Sequence, residues 1–373
     1  LYEIAPRPAG ARYPAGTGAN GWKQLALSGL ARVNPMTETI DPRLARLDTA
    51  RWLAALAVVL LHCAALAVSA PHAYGSAAWL AANAYDSAVR WCVPVFVMVS
   101  GALLLAPRRQ PEPLGRYYGK RLARVLAPLV FWTAFYLAWS AFLARLDDQP
   151  APAGAWLTRL AEGRPYYHLW YLYMIVGLYL FAPFVRDWYA RTTARRRLAS
   201  VGAIFVIAVL DGLYRHVAGA GRGFFLTWFL PYLGYFVAGR MILAGELRVP
   251  RPGWVLAGSI AVTALGVAAL SDADALDLYF YEYFSLTVTA MSLAAFQLIL
   301  DKPRLPRLPL LAPLTFGIYL VHPVFLDLAR RAGVFTGEGR DGWVVPLCAL
   351  AVFALSAGAS WAMARLPLAR RLI

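Results

Sequence analysis

The feature that most constrains this chain is a series of ten apolar blocks, each about long enough to cross a bilayer. They fall roughly at 50–69, 89–106, 122–143, 167–185, 198–213, 224–243, 254–270, 283–300, 308–329 and 343–364. A helix needs about 20 mostly apolar residues to cross a bilayer. In lipid the backbone polar groups can pair only with one another, so blocks of this kind must be helices. A membrane barrel would show short alternating strands instead. The sequence therefore predicts an all-α, polytopic integral membrane protein with about ten transmembrane helices. Its 15% charged residues compare with about 25% in a soluble domain, and they cluster between the blocks.

Charge gives the orientation. The loops on one side hold 21 Lys and Arg, and those on the other hold 8. Basic loops stay in the cytoplasm, so both termini are expected there. The loop at 271–282, with Asp272, Asp274, Asp277 and Glu282 and no basic residue, falls outside. Topology thus accounts for the net charge of +16, leaving no basic surface for nucleic acid. Cys63, Cys92 and Cys348 lie in apolar blocks and are odd in number, as expected of small core residues and not of a disulfide framework. Residues 1–43 mix Gly, Pro, Ala and Arg with no apolar stretch, which suggests a disordered tail. A more natural sequence opens at Met36. The membrane domain is expected over 44–366, with a short cytoplasmic tail at 367–373. No repeat or second soluble domain is visible.

An ionisable residue inside a span costs several kcal/mol, about 2.5–3.5 on insertion scales, so each one is a functional candidate. In the first span Arg51 and His62 are eleven residues apart. Eleven steps of about 100° put them on one helix face, about 16 Å apart along the axis. That layout suits one long ligand, with an anionic end at Arg51 and a reactive end at His62. A snorkelling arginine and a bonded structural histidine would give the same pattern. Arg121 and Arg124, at i and i+3 where the third span opens, present two guanidinium forks suited to phosphate. They are equally ordinary cytoplasmic anchors. His168 and Trp170 open the fourth span in an aromatic run. His322 lies in the ninth span before Pro323, whose missing N–H leaves a carbonyl free to pair with the imidazole. His72 and His216 fall in or beside outer loops and are expected to be solvated. Metal-ligand spacing, a nucleophile elbow and a phosphate-binding glycine loop are absent, and no bound cofactor is expected.

In order and position these residues resemble the membrane acyltransferase-3 family over about 44–365. The first span carries its most specific motif, Asp48 to Arg51 and then His62. Val93 to Gly101, with Ser100 next to the glycine, is similar to a second motif, and Arg121 with Arg124 to a third. His168, Trp170, Tyr179 and Pro183 match the fourth span, Tyr232 to Gly239 the sixth, and Phe316 to Pro323 the ninth. The chain resembles the stand-alone form and, within it, surface-polysaccharide O-acetyltransferases of the bacterial inner membrane. The resemblance implies transfer of an acyl group, acetyl from acetyl-CoA as co-substrate, to a hydroxyl of a lipid-linked sugar or surface glycan. It implies His62 and Arg51 as the catalytic pair, His62 as general base and Arg51 at the donor phosphates, with Arg121 and Arg124 as donor-binding residues. His168, Trp170, Tyr179 and His322 are expected to bind the acceptor. Ten spans with intramembrane His and Arg would also serve a transporter or flippase, although no broken helices in two related halves are evident in the sequence.

Overall fold

The computed structural model describes residues 43–70, 74–107, 112–148, 154–219, 221, 223–302, 305–306, 308–335 and 342–373. The chain divides into two units, Leu1–Asp41 and Pro42–Ile373, and every described residue belongs to the second. The expected N-terminal tail and His72 lie outside the described residues.

All regular structure among the described residues is helical. The long helices are α1 (Arg46–Val68), α2 (Ala77–Val89), α3 (Cys92–Leu104) and α4 (Leu114–Leu146). After the short α5 (Ala155–Ala161) come α6 (Trp170–Arg191), α7 (Ala194–Ala218), α8 (Phe229–Leu243) and α9 (Pro252–Leu270). The last three are α10 (Leu286–Asp301), α11 (Thr315–Arg331) and α12 (Val344–Arg365). Nine helical segments among the described residues are long and apolar enough to cross a membrane, with α2 and α3 counted as one. The tenth expected span is α6, 22 residues long. It falls short in apolarity, because it carries Arg186 and Asp187 as well as Trp170, Tyr171 and Tyr173. The fold is thus a polytopic helical membrane protein.

α1 stands at the centre and packs against α2, α3, α10, α11 and α12. Its alanines, Ala50, Ala54, Ala57 and Ala64, are all buried, and small residues let membrane helices approach closely. Arg43 pairs with Asp301 at 2.8 Å, and Arg46 donates to the Lys302 carbonyl. These contacts pin the start of α1 to the end of α10. At the periphery, α7 buries only Val201 and Ala208, and α9 only Thr263 and Val267. Their exposed apolar residues, Val206, Ile207 and Trp254 among them, suit lipid contact.

α3 and α8 pack backbone to backbone. A Cβ on Gly101 would lie 1.7 Å from the Phe236 carbonyl oxygen, and one on Gly239 would lie 2.1 Å from that of Met98. Only glycine allows backbones this close, which gives a physical reason for the Ser100–Gly101 and Tyr232–Gly239 motifs.

Two details differ from the sequence-based expectation. The second span starts at Ala77 rather than near residue 89, and it is a broken helix with Arg90 and Trp91 at the break. Pro94 supplies the reason: it has no N–H for the Arg90 carbonyl four residues back. Trp91 Nε1 donates to the Ala88 carbonyl at 2.8 Å and satisfies one group freed there. The third span is also longer than expected, with 33 residues in α4. Cys63, Cys92 and Cys348 are free and buried.

Candidate active site

The candidate site is built where α1, α6 and α11 meet. His62, on α1, stacks on His322 with ring centroids 5.2 Å apart and planes 19° from parallel. The edge of the Tyr167 ring meets His62 at 4.9 Å. His168, just before α6, meets His322 edge-on at 5.6 Å and Tyr319 at 5.2 Å. Side chains 106 and 260 residues along from His62 close with it into one cluster of three imidazoles.

Local sequence fixes each ring. Pro323 cannot bond the Tyr319 carbonyl, and His322 Nδ1 lies 2.8 Å from that oxygen. A carbonyl only accepts, so Nδ1 carries the proton and Nε2 keeps its lone pair. The histidine–proline pair therefore sets its own tautomer. His322 Nε2 has no hydrogen-bond partner, nor does either ring nitrogen of His168. His168 and His322 are both buried, while His62 is only half-buried. The Tyr319 hydroxyl donates to the His168 carbonyl, and Tyr136, on α4, donates to the Leu320 carbonyl at 2.6 Å. Buried polar atoms without partners are rare and call for an explanation. Three of them around His62 mark a place where another molecule's polar groups fit.

On the side away from Arg51 a cavity of about 620 Å³ opens beside the cluster. Tyr167, 42% exposed, lines it while its ring edge touches His62. Trp170, Tyr279 and His216 add aromatic surface, and Arg164, Arg215 and Glu282 add charge. One of these charges already has an acidic partner. Arg215 pairs with Asp211 at 2.9 Å, and His216 lies 3.6 Å from Asp277. Sequence reading did not foresee this wall, although His216 is exposed near the end of α7, as expected of a residue beside an outer loop. Arg164, Arg215 and Tyr279 come from separate segments, so no local pattern announced them.

Toward the other end of α1, Arg51 pairs with Asp48 at 2.6 Å and remains about one-third exposed. Tyr171 follows on α6, one residue after Trp170. Tyr171 in turn packs on Tyr319 at 5.4 Å. α4 is tied to this level by Tyr117 and Tyr118, whose hydroxyls donate to the Tyr179 and Leu180 carbonyls at 3.1 and 2.9 Å. Arg121 follows Tyr117 by one turn, and Arg124 by two. Arg121 is half-buried, Arg124 is exposed, and neither has an ion-pair partner among the described residues. The structure thus gathers His62, His168 and His322 into one cluster, with Trp170 lining the cavity beside it. Tyr179 stands apart from that cavity, with Arg51 and α4. Among the described residues no group of three His, Cys, Asp or Glu is placed to hold a metal ion.

The family model described as an acyltransferase domain, acyltransferase-3, matches residues 44–365, nearly the whole described unit. No curated protein and no solved structure is similar enough to be matched. The match spans α1 through α12 and includes every residue of the histidine cluster, so the chain belongs to the acyltransferase-3 family and is a multi-pass membrane acyltransferase.

Proposed function

We propose that the protein transfers an acyl group, acetyl from acetyl-CoA, to a hydroxyl of a lipid-linked sugar or surface polysaccharide in a bacterial inner membrane. The observation that carries this reading is the position of His62. It is half-buried, backed by His322, and joined through Tyr167 to a cavity roomy enough for a sugar ring. A sugar hydroxyl is a weak nucleophile at neutral pH and needs its proton removed as it attacks, a task suited to neutral imidazole. The aromatic faces of Tyr167, Trp170 and Tyr279 suit the apolar faces of sugar rings.

The donor fits the opposite end. Arg121 and Arg124 offer unpaired guanidinium groups to phosphate oxygens, and Arg51 sits about 16 Å from His62 along α1. The pantetheine arm would run past Tyr179 and Tyr171 and bring the thioester carbonyl to His62. His168 and His322, with free ring nitrogens, would hold the acceptor's hydroxyls or the incoming carbonyl. The hydroxyl proton passes to His62 as the oxygen attacks, and the departing thiolate takes it back.

The test is purified protein in detergent with acetyl-CoA, following free thiol as candidate glycans are added, with mass analysis of the glycan. The reading predicts glycan-dependent thiol release matched by added acetyl groups. Acyl transfer from a different thioester only, or to no glycan in a broad panel, would overturn it.

A further inference from the structure

Acyl transfer to a hydroxyl passes through a tetrahedral intermediate whose carbonyl oxygen carries negative charge, and preorganised donors at that oxygen give the largest catalytic gains. The histidine cluster supplies a base but no fixed cation. The break between α2 and α3 supplies one. Arg90 is mostly buried there, and its Nη2 pairs with Asp86 at 2.6 Å. Its Nη1 donates to the Tyr281 carbonyl at 3.3 Å, and the guanidinium lies 3.8 Å over the Tyr281 ring. Tyr281 is held in turn by its hydroxyl on Asn83 Oδ1 at 2.6 Å. The guanidinium therefore cannot swing.

Helix rise places this group at the depth of His62. α1 and the following α2 run in opposite directions and are tied together by Trp79 Nε1 on the Val68 carbonyl at 3.1 Å. His62 lies six residues below Val68, about 9 Å at the rise of a helix. Asp86, to which Arg90 reaches back, lies seven residues below Trp79, about 10 Å. The ion pair and the imidazole therefore share one level in the bundle.

Hydrogen-bond accounting separates a structural pair from a working one. Arg90 Nε and Asp86 Oδ1 are both buried with no hydrogen-bond partner. A buried ion pair is a poor source of stability even when complete, since apolar residues of the same volume often serve as well or better. An incomplete one, at a helix break and level with the base, is a donor kept available. We propose that Arg90 is a catalytic residue that donates to the carbonyl oxygen of the transferred acyl group. This rests on the acyl-transfer reading above. The acceptor oxygen forms a bond to the carbonyl carbon, and the carbonyl π pair moves onto the oxygen facing Arg90. The hydroxyl proton goes to a ring nitrogen of His62. On collapse the C–O double bond re-forms, the C–S bond breaks, and the sulfur leaves with the electron pair and takes the proton from His62.

The experiment compares wild type, Arg90→Gln, Arg90→Lys and the neutral pair Asp86→Asn with Arg90→Gln, all full-length in detergent. Rates are expressed per donor site, counted with radiolabelled acetyl-CoA, so lost folded protein does not count as lost catalysis. Thiol release is followed with glycan and, separately, with water as the only acceptor, because hydrolysis passes through the same oxyanion. Arg90→Gln should lose about 10²–10³ in kcat in both reactions, with the acetyl-CoA KM within about twofold of wild type, as should the neutral pair. Arg90→Lys should recover part of the loss. Wild-type kcat per site in Arg90→Gln or the neutral pair would overturn the proposal. So would failure of both to bind acetyl-CoA, which would make Arg90 a residue of the fold. A wild type that hydrolyses acetyl-CoA but acylates no glycan would sink the proposed acceptor alone, and the hydrolysis arm would still decide on Arg90.

Discussion

Replacing His62 with alanine separates chemistry from folding, because the structure sets a different size for each effect. His62 makes two ring contacts, the stack on His322 and the Tyr167 edge. Aromatic pairs are worth about 0.5–1.5 kcal/mol each beyond burial, so the fold should lose about 1–3 kcal/mol. His322 keeps its Tyr319 carbonyl bond, so the change strands no new polar group there. Loss of a general base costs about 10²–10⁴ in rate, or about 2.7–5.5 kcal/mol of barrier at 1.36 kcal/mol per factor of ten. The chemical effect therefore exceeds the structural one. Initial rates of glycan-dependent thiol release should fall by two to four orders of magnitude per donor site, with acetyl-CoA affinity unchanged and only modestly earlier thermal unfolding. His322→Ala is the contrast. It strips the backing from His62 and frees the Tyr319 carbonyl, so it should cost more in stability and less in rate per folded molecule. A well-folded His62→Ala protein with wild-type acylation would refute the assignment, and the reverse order of the two variants would move the base to His322.

Arg121→Ala and Arg124→Ala should each raise the acetyl-CoA KM with kcat little changed. A charge-assisted bond worth about 1.5–3 kcal/mol corresponds to a roughly 10- to 150-fold rise, and a normal KM in both would return them to topology anchors. Gly101→Ala and Gly239→Ala should abolish folded protein, because each new Cβ meets a backbone carbonyl and not a movable side chain. Recovery of monodisperse protein after detergent extraction would contradict that. Reporter fusions at residues 36 and 373 should both read as cytoplasmic, from the 21 to 8 asymmetry of basic residues, and an outside reading at either end would overturn the topology.

What the sequence revealed and what it hid divide by the range of the interaction. Arg51 and His62 lie on one helix, so their shared face and separation follow from helix geometry alone. The His322 tautomer follows from a single neighbour, Pro323. The histidine cluster is different. His62 and His322 belong to two helices and His168 to the turn before a third, and their meeting depends on the packing of α11 against α1 and on the path of the chain into α6, which no local pattern encodes. The family motifs pointed to Gly101 and Gly239 without a reason, and the reason is a backbone contact between helices far apart in sequence. Arg90 shows the limit most sharply. In the sequence it sits at the edge of an apolar block and reads as one more residue bounding a span. Only the extension of that span back to Ala77 carries Arg90 from the membrane surface into the interior. Pro94 was visible all along, but a proline three residues into a helix usually marks its start. Here two helices, Ala77–Val89 and Cys92–Leu104, meet across that start, and the charge lies between them. An apolar block with a basic residue at its edge and a proline four residues on should therefore be read in both directions before its boundary is drawn.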